Sequence, residues 1–196
     1  MRVFVAGATG VIGRRLVPLL VAAGHEVAGL TRDPAKADLL RTLGAEPAVA
    51  DVYDADGLRD AVVAFAPDAV VHELTDLPDD AALLAERRGA NARMRREGTR
   101  NLLAAANAAG ATRFVAQSVA WELSDDGAAA VAELEAAVLA AGGVAIRYGR
   151  FYGPGTYHEQ EPPPPPRIHV DEAARRTLPA LEAPSGILLA VEDAGG

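Results

Sequence analysis

The chain has 196 residues and a formal net charge of −8; half of its residues are apolar and 23% are charged. This size and composition are typical of one soluble globular domain with a sizeable core, and the acidic balance disfavours nucleic acid as a partner. The sequence contains no cysteine, which excludes disulfides, cysteine catalysis and cysteine-ligated metals. No apolar run approaches the ~20 residues of a membrane span and the N-terminus lacks a signal-peptide pattern, so we expect a cytoplasmic protein without a membrane partner.

The first element is a short apolar strand over residues 2–6, followed at once by glycines in the spacing G-x-x-G-x-x-G and by a helix. Gly7 permits a tight turn, Gly10 lets a ligand approach the backbone, and Gly13 lets the helix pack closely against the strand. The unpaired amides and partial positive charge of the helix N-terminus suit a pyrophosphate. The alternative is a tight turn without a ligand. The predicted contacts with a dinucleotide are made by Gly7, Thr9, Gly10, Val11, Ile12, Gly13 and Arg14.

Strands and helices alternate along the rest of the chain. Further strands are predicted at 27–30, 48–50, 69–72, 113–118 and 144–148, and helices at 35–43, 55–65, 80–109 and 128–141. Gly89 and Gly98 are possible breaks in the long helix. The last stretch predicts a short strand from Ile168, a helix over 172–181 and a closing strand over 187–191. This alternation predicts an α/β fold with a Rossmann-type doubly wound parallel sheet.

Five arginines fall within residues 87–96, in the only arginine-dense stretch of the chain. Acidic residues flank this stretch, so a solvated helix face is favoured over a nucleic-acid surface. The His, Asp and Glu residues show no spacing typical of metal ligands, and no metal site is predicted.

The residues after the second and third strands bear on which dinucleotide is bound, because ligands of doubly wound sheets lie across the carboxyl ends of the strands. An NAD site usually has a carboxylate after the second strand, but Thr31 and Arg32 come first here and Asp33 only follows them. A guanidinium pairs well with a 2′-phosphate, so the sequence favours NADP, with NAD possible; a solvated surface arginine is the other interpretation of Arg32. Asp51 and Val52, after the third strand, are placed to meet the adenine, although Asp51 is equally suited to cap a helix.

Seven segments together resemble the extended and atypical short-chain dehydrogenase/reductases, the NAD-dependent epimerase/dehydratase group. They are GATGVIG (7–13), DV (51–52), VVH (70–72), GTRNLL (98–103), RFVAQS (113–118), RYGRFYGPG (147–155) and IHVDEAA (168–174). The resemblance implies a Rossmann domain that binds NAD(P), a small C-terminal substrate-binding part and, often, a homodimer. On that basis the chain is a single domain with a dinucleotide-binding core over 1–147 and a reduced C-terminal substrate-binding part over 148–196.

The sequence departs from this family at its catalytic pair, a tyrosine and a lysine four residues later in the helix after strand five. The corresponding region runs from Val131 to Glu135 and contains neither residue type. In the family the lysine lowers the pKa of the tyrosine, which transfers the proton. The resemblance still implies that Ser118 orients a substrate oxygen. The proton would then come from a residue of the tyrosine-rich stretch (Tyr152 or Tyr157, with Tyr148 and His158 as alternatives) or from water. The alternatives are a serine that bonds local backbone and tyrosines that form an apolar wall.

The same resemblance implies that Glu73, Leu74 and Tyr148 lie at the nicotinamide end of the cofactor. Glu73 is an unusual residue at a position generally occupied by small or apolar ones. His72 is interpreted as buried packing rather than as a base. Asp171 is interpreted as the cap of the last helix.

Three functional hypotheses follow. The first is an NADP-preferring oxidoreductase or epimerase/dehydratase-like enzyme that acts on a small carbonyl or hydroxyl substrate. The second is a non-catalytic NAD(P)-binding regulator resembling the NmrA-like proteins, which the missing tyrosine and lysine favour. The third is non-redox acid–base chemistry on the same scaffold, with Glu73 as the acid or base.

Overall fold

The computed structural model describes residues 1–78 and 80–192. The strands are β1 (Arg2–Ala6), β2 (Glu26–Thr31), β3 (Glu46–Val49), β4 (Ala69–His72), β5 (Arg113–Val119), β6 (Val144–Tyr148), β7 (Arg150–Tyr152), β8 (Arg167–His169) and β9 (Gly186–Ala190). The α-helices are α1 (Gly13–Ala22), α2 (Ala37–Thr42), α3 (Ala55–Phe65), α4 (Arg88–Arg93), α5 (Thr99–Ala108), α6 (Asp125–Ala140) and α7 (Val170–Thr177). Among these helices none has the length and apolarity needed to cross a membrane.

Seven strands form one parallel sheet in the order β3-β2-β1-β4-β5-β6-β9. The chain runs outward from β1 to β3 and then crosses back, so that Val5 of β1 lies opposite Gly29 on one side and Val71 on the other. This reversal puts the topological switch point at the carboxyl ends of β1 and β4, and doubly wound folds bind their ligands in the crevice outside such a point. The predicted Rossmann-type doubly wound sheet is confirmed.

Helices cover both faces of the sheet, which explains why its strands are almost wholly apolar. On one face Val5 belongs to a core cluster with Leu16 of α1 and Ala173 of α7. On the other face Phe4 belongs to a cluster with Leu58 of α3 and Leu102 of α5. The two clusters hold the strand ends, and therefore the crevice, in fixed positions.

The residues after β6 fold back onto the same sheet. β7 and β8 pair in parallel as a separate two-stranded sheet, with Phe151 opposite Ile168. α7 then packs against α1, and β9 adds to the main sheet beside β6. The helix predicted over 172–181 begins two residues earlier and ends in a 3-10 turn, Leu178–Leu181.

The structure differs most from the prediction between β4 and β5. The helix expected over 80–109 is divided into a 3-10 turn (Ala81–Leu83), α4, a π-helix (Met94–Gly98) and α5. Gly89 does not break α4, whereas Gly98 ends the π-helix; a Cβ there would lie 2.7 Å from the sulfur of Met94. The predicted solvated face is also incomplete, because Arg95 and Arg96 are partly buried.

Candidate functional site

The turn between β1 and α1 lies in the crevice, and close packing requires its glycines. Gly7 has a φ of +95°, and a Cβ on it would lie 2.7 Å from the backbone carbonyl carbon of Glu73. A Cβ on Gly13 would lie 2.1 Å from the carbonyl oxygen of Gly7. Gly10 donates its N–H to that same oxygen at 2.9 Å and is exposed. The turn is therefore tight on its inner side and open to a ligand on its outer side.

The amides at the start of α1 are available to an anion. Among the described residues, the N–H groups of Val11, Ile12 and Gly13 meet no hydrogen-bond acceptor. The first turn of the helix carries no acidic side chain. Arg14 lies beside the turn, and its Nε donates to the carbonyl oxygen of Thr9 at 2.7 Å. Free amides, the helix dipole and a neighbouring guanidinium together suit a pyrophosphate.

The end of β2 presents a guanidinium rather than a carboxylate. Thr31 is buried, and its Oγ1 is hydrogen-bonded to the backbone of Asp33. The Asp33 carboxylate accepts the N–H of Ala35 at 3.0 Å and caps a short 3-10 helix. Arg32 is exposed, and within residues 1–78 and 80–192 it has no hydrogen bond, ion pair or ring contact.

The turn after β3 is fixed by local hydrogen bonds. Oδ1 of Asp51 accepts the N–H of Tyr53 at 2.9 Å. Val52 is buried, and its carbonyl oxygen accepts Nδ2 of Asn101 at 2.9 Å. The cap of α3 is Asp54, so the alternative interpretation of Asp51 as the helix cap is wrong.

His72, the last residue of β4, is a buried neutral imidazole. Its Nδ1 accepts the N–H of Leu74 at 3.2 Å, so its Nε2 carries the hydrogen and lies 3.1 Å from Oγ1 of Thr99. Burial lowers the pKa of His72 to about 4. The geometry agrees with packing rather than with a catalytic base.

Glu73 carries a buried carboxyl group that contacts Tyr148. The hydroxyl oxygen of Tyr148 lies 3.3 Å from Oε1 of Glu73 and 2.6 Å from Oγ1 of Thr177, while Oε2 of Glu73 has no partner among the described residues. Burial raises the pKa of Glu73 to about 8. Thr177 donates to the carbonyl of Ala173, so Tyr148 donates to Thr177. The contact between Glu73 and Tyr148 is then best satisfied by a protonated carboxyl group.

Ser118 lies near the end of β5, and its hydroxyl is engaged on the α6 side of the sheet. It donates to Oε1 of Glu135 at 2.5 Å. Nε and Nη2 of Arg147 bind the same carboxylate at 2.8 and 2.7 Å, and this pairing holds the pKa of Glu135 below its ordinary value. A direct role of Ser118 toward substrate stays a prediction.

Tyr152 and Tyr157 each link two segments of the chain near the carboxyl ends of the strands. Tyr152 donates its hydroxyl hydrogen to Glu192, and its ring meets that of His169 edge-on with 5.1 Å between centroids. The hydrogen bond with Glu192 raises the pKa of Tyr152. Tyr157 is exposed and donates to the carbonyl oxygen of Pro78, which joins the loop after β7 to the loop after β4. Their role as proton donors also stays a prediction.

The cap of α7 differs from the expectation. His169 is the N-cap, because its Nδ1 accepts the N–H of Asp171 at 3.2 Å. The Asp171 carboxylate instead pairs with Nε of Arg15 at 2.5 Å. The predicted cap at Asp171 is wrong, and its ion pair attaches α7 to the helix that follows the glycine turn.

Two solved structures share this architecture over 97% of the chain. The UDP-glucose 4-epimerase of Thermus thermophilus, in complex with NAD, superposes with a TM-score of 0.77 at 22% identity and is covered over 78% of its length. The UDP-Glc/GlcNAc 4-epimerase of Campylobacter jejuni superposes with a TM-score of 0.79 at 15% identity and is also covered over 78%. At these identities the likeness establishes the fold.

Sequence comparisons establish the family. A 3-diazoavenalumate denitrifying reductase from a Streptomyces species is 38% identical, in an alignment that covers this whole chain and 70% of that protein. Residues 7–147 match the family model described as NAD(P)H-binding. The chain belongs to this NAD(P)H-binding family. The expected NAD(P)-binding family is confirmed, and the fold is the one that the epimerases share.

The glycine turn of this NAD(P)H-binding protein fits a dinucleotide. Gly7 and Gly13 leave no room for a Cβ on the inner side, and the amides that follow Gly10 are free of protein acceptors among the described residues. The positions of the family's catalytic tyrosine and lysine carry side chains that cannot replace them. Val131 lies on α6 without a hydroxyl, and the carboxylate of Glu135 is held by Arg147.

Sequence reasoning missed three side chains of the site. Thr177 and Glu135 contact Tyr148 and Ser118 from distant points of the chain, and no local pattern announces such pairs. Arg95 was grouped with its solvated neighbours, although it is partly buried. No local pattern separated Arg95 from those neighbours, because residues 94–98 also suit a regular α-helix.

Proposed function

We propose that this protein is an NADP-preferring reductase that acts on a small electrophilic substrate. One arrangement carries the cofactor part of the proposal: free amides after Gly10 lie in the same crevice as the end of β2, where Arg32 is unpaired among the described residues and Asp33 is used as a cap. The 38% identical relative, which is named as a reductase, supports the direction of the reaction.

The chain's own groups have separate tasks in this proposal. The amides of Val11, Ile12 and Gly13 bind the pyrophosphate, and Arg32, with Arg14 nearby, binds the 2′-phosphate. Asp51 and Val52 contact the adenine, while Thr31 supports the position of Arg32. When bound, NADPH supplies the hydride. The nicotinamide end is bordered by Glu73, Leu74 and Tyr148, and a protonated Glu73 keeps that end free of a buried negative charge.

The missing tyrosine and lysine restrict the substrate class. A carbonyl substrate needs a proton as well as a hydride. We assign the orientation of its oxygen to Ser118 and the proton to Tyr152 or Tyr157. Both tyrosines belong to the proposed substrate-binding part over 148–196. A diazonium group has no such need, because it accepts a hydride and leaves as dinitrogen. The name of the relative, a denitrifying reductase of a diazo compound, makes this second acceptor class worth equal testing.

Single-turnover mixing tests the proposal. NADPH-loaded protein is mixed with aromatic aldehydes, ketones and aryl diazonium salts while the nicotinamide absorbance is followed. We expect substrate-dependent oxidation of NADPH that exceeds the protein-free rate and the rate with NADH. Tight NADPH binding without oxidation of NADPH by any compound would instead favour a non-catalytic regulator. That second candidate is supported by two observations: the hydroxyl of Ser118 is bound to Glu135, and the family's tyrosine and lysine are absent. Failure to bind NADPH would refute both.

A further inference from the structure

Arg95 differs from every other partly buried arginine that the structure describes. The others are Arg2, Arg15, Arg96, Arg147, Arg150, Arg167 and Arg176. Each of those has an ion pair, a hydrogen bond or a ring contact, whereas Arg95 has none among the described residues. The chain has 27 acidic residues against 19 basic ones, so a shortage of carboxylates does not explain this.

Arg95 lies on the helical face that meets the loop after β4. Four residues before it, Oδ1 of Asn91 accepts the N–H of Asp76 at 3.1 Å. Four residues after it, Oγ1 of Thr99 lies 3.1 Å from Nε2 of His72. Residues 91, 95 and 99 are each about one helical turn apart, so position 95 lies between two residues whose side chains are anchored at the two ends of the segment 72–76. This segment contains the predicted nicotinamide contacts Glu73 and Leu74.

No described carboxylate pairs with the guanidinium of Arg95, because those near it in the sequence pair with other residues. Arg93 is paired with Glu97, and Arg96 is paired with Asp126 and Glu133 on α6. Glu73 contacts Tyr148 instead. Burial lowers the pKa of Arg95, with no opposing contribution from a carboxylate.

An unpaired, partly buried charge costs free energy, and that cost is recovered when a ligand supplies the partner. A planar guanidinium matches a carboxylate through two parallel hydrogen bonds. The π-helix that carries Arg95 is a distortion frequently found at functional sites. We propose that Arg95 binds the carboxylate of an anionic substrate at the nicotinamide end of the crevice. This inference rests on the proposed reductase function and names the class of its substrate.

The phosphates of the cofactor are the other source of an oxyanion. They are less suited to Arg95, because the free amides that suit the pyrophosphate belong to the turn after β1, whereas Arg95 lies beside the segment after β4. The experiment must nevertheless separate the two sources.

Calorimetric titration of NADP⁺-loaded protein with 4-formylbenzoate and with its neutral methyl ester tests the inference. We expect the wild type to bind the acid about ten-fold or more tightly than the ester, and Arg95→Gln to bind both alike. Arg95→Lys keeps the charge and is expected to retain part of the preference. Arg100→Gln, an exposed arginine on α5, is the matched control and should retain the whole preference.

The affinity for NADPH, measured by nicotinamide fluorescence, identifies the source of the anion. An unchanged NADPH affinity in Arg95→Gln together with a lost preference for the acid supports the inference. A wild type without that preference overturns it, and so does an Arg95→Gln variant that loses NADPH affinity but keeps the preference, since Arg95 would then bind a cofactor phosphate. A wild type that fails to bind NADPH at all refutes the proposed function itself, which is a different result.

Discussion

The guanidinium of Arg32 lies at the end of β2, where we propose that the adenosine ribose of the dinucleotide binds. Asp33 is the nearest carboxylate in the sequence, but the backbone N–H of Ala35 already occupies one of its oxygens. A ribose 2′-OH would therefore share the Asp33 carboxylate with this cap, whereas a 2′-phosphate would find Arg32 without a partner among the described residues. In the proposed function, discrimination between the two dinucleotides depends mainly on this side chain.

We expect Arg32→Ala to weaken NADPH binding by about ten-fold to a hundred-fold, because it removes charge-assisted hydrogen bonds, and to leave NADH binding nearly unchanged. Fluorescence titration of both dinucleotides measures the effect. Arg88→Ala, which changes another exposed arginine, is the control. Equal affinities of the wild type for NADPH and NADH would contradict the assignment.

Glu73 makes stability depend on pH in the direction opposite to that of an ion-paired carboxylate, whose pKa is lowered by folding. Its folded-state pKa of about 8 lies above the unfolded value of about 4.3, so between these values the folded chain binds more protons than the unfolded chain. The free energy of unfolding contributed by this group is therefore complete below the lower value and falls as the pH rises through the higher one.

The variant Glu73→Gln keeps the shape but cannot ionise. We expect the melting temperature of the variant, relative to that of the wild type, to rise as the pH is raised from about 5 to about 9. Thermal unfolding followed by circular dichroism measures the difference, with Glu133→Gln on the surface of α6 as the control. A difference that stays constant across this pH range would show that Glu73 titrates normally.

Among the elements, the βα unit of β1 and α1 sets the geometry of the crevice. The two segments approach each other so closely that the carbonyl oxygen of Gly7 occupies the space of any Cβ on Gly13. The backbone of α1 must move away from β1 if that space is filled, and the amides of its first turn would move with it.

We expect Gly13→Ala to lower the free energy of unfolding by more than about 2 kcal/mol and to weaken dinucleotide binding. Gly89→Ala is the matched control, since Gly89 lies within α4 and a Cβ added to it would meet no atom within 4 Å. That substitution should raise stability by about 0.5–1 kcal/mol, because alanine favours a helix. Urea denaturation compares the two, and equal effects would disprove the steric explanation.

The elements that the sequence predicted are those with a strong local signal. Val3 to Ala6 form an apolar run next to three spaced glycines, and both the strand and the turn were predicted from it. The π-helix at Met94–Gly98 has no such signal, because its residues also suit an α-helix. The cap of α7 was assigned to Asp171 instead of His169 for a similar reason: both residues can accept a backbone N–H, and only the chain path decides between them.

At the scale of the whole molecule, contacts between distant segments close the carboxyl edge of the sheet. Thr177 of α7 reaches Tyr148 at the end of β6, Tyr152 reaches Glu192 after β9, and Tyr157 reaches the loop after β4. These contacts join residues 29, 40 and 79 positions apart, which is why the sequence indicated the candidates but not their partners.

Replacing Tyr152 or Tyr157 by phenylalanine and comparing two substrate classes separates proton donation from the loss of these contacts. If Tyr152 or Tyr157 is the proton donor, Tyr152→Phe or Tyr157→Phe should lower kcat for an aldehyde by about a hundred-fold or more and leave NADPH affinity unchanged. Reduction of a diazonium salt should proceed at the normal rate in the same variant. Undiminished aldehyde turnover in both variants would remove the two tyrosines as donors.

The contact between Gly7 and residue 73 has a consequence for protein engineering. Gly7 meets the backbone of Glu73 rather than its side chain, so the chemistry at position 73 can be exchanged while the diphosphate cradle stays as it is. A library confined to position 73 would vary acidity beside the proposed nicotinamide site on a constant backbone, whereas positions 7 and 13 leave no room for a Cβ.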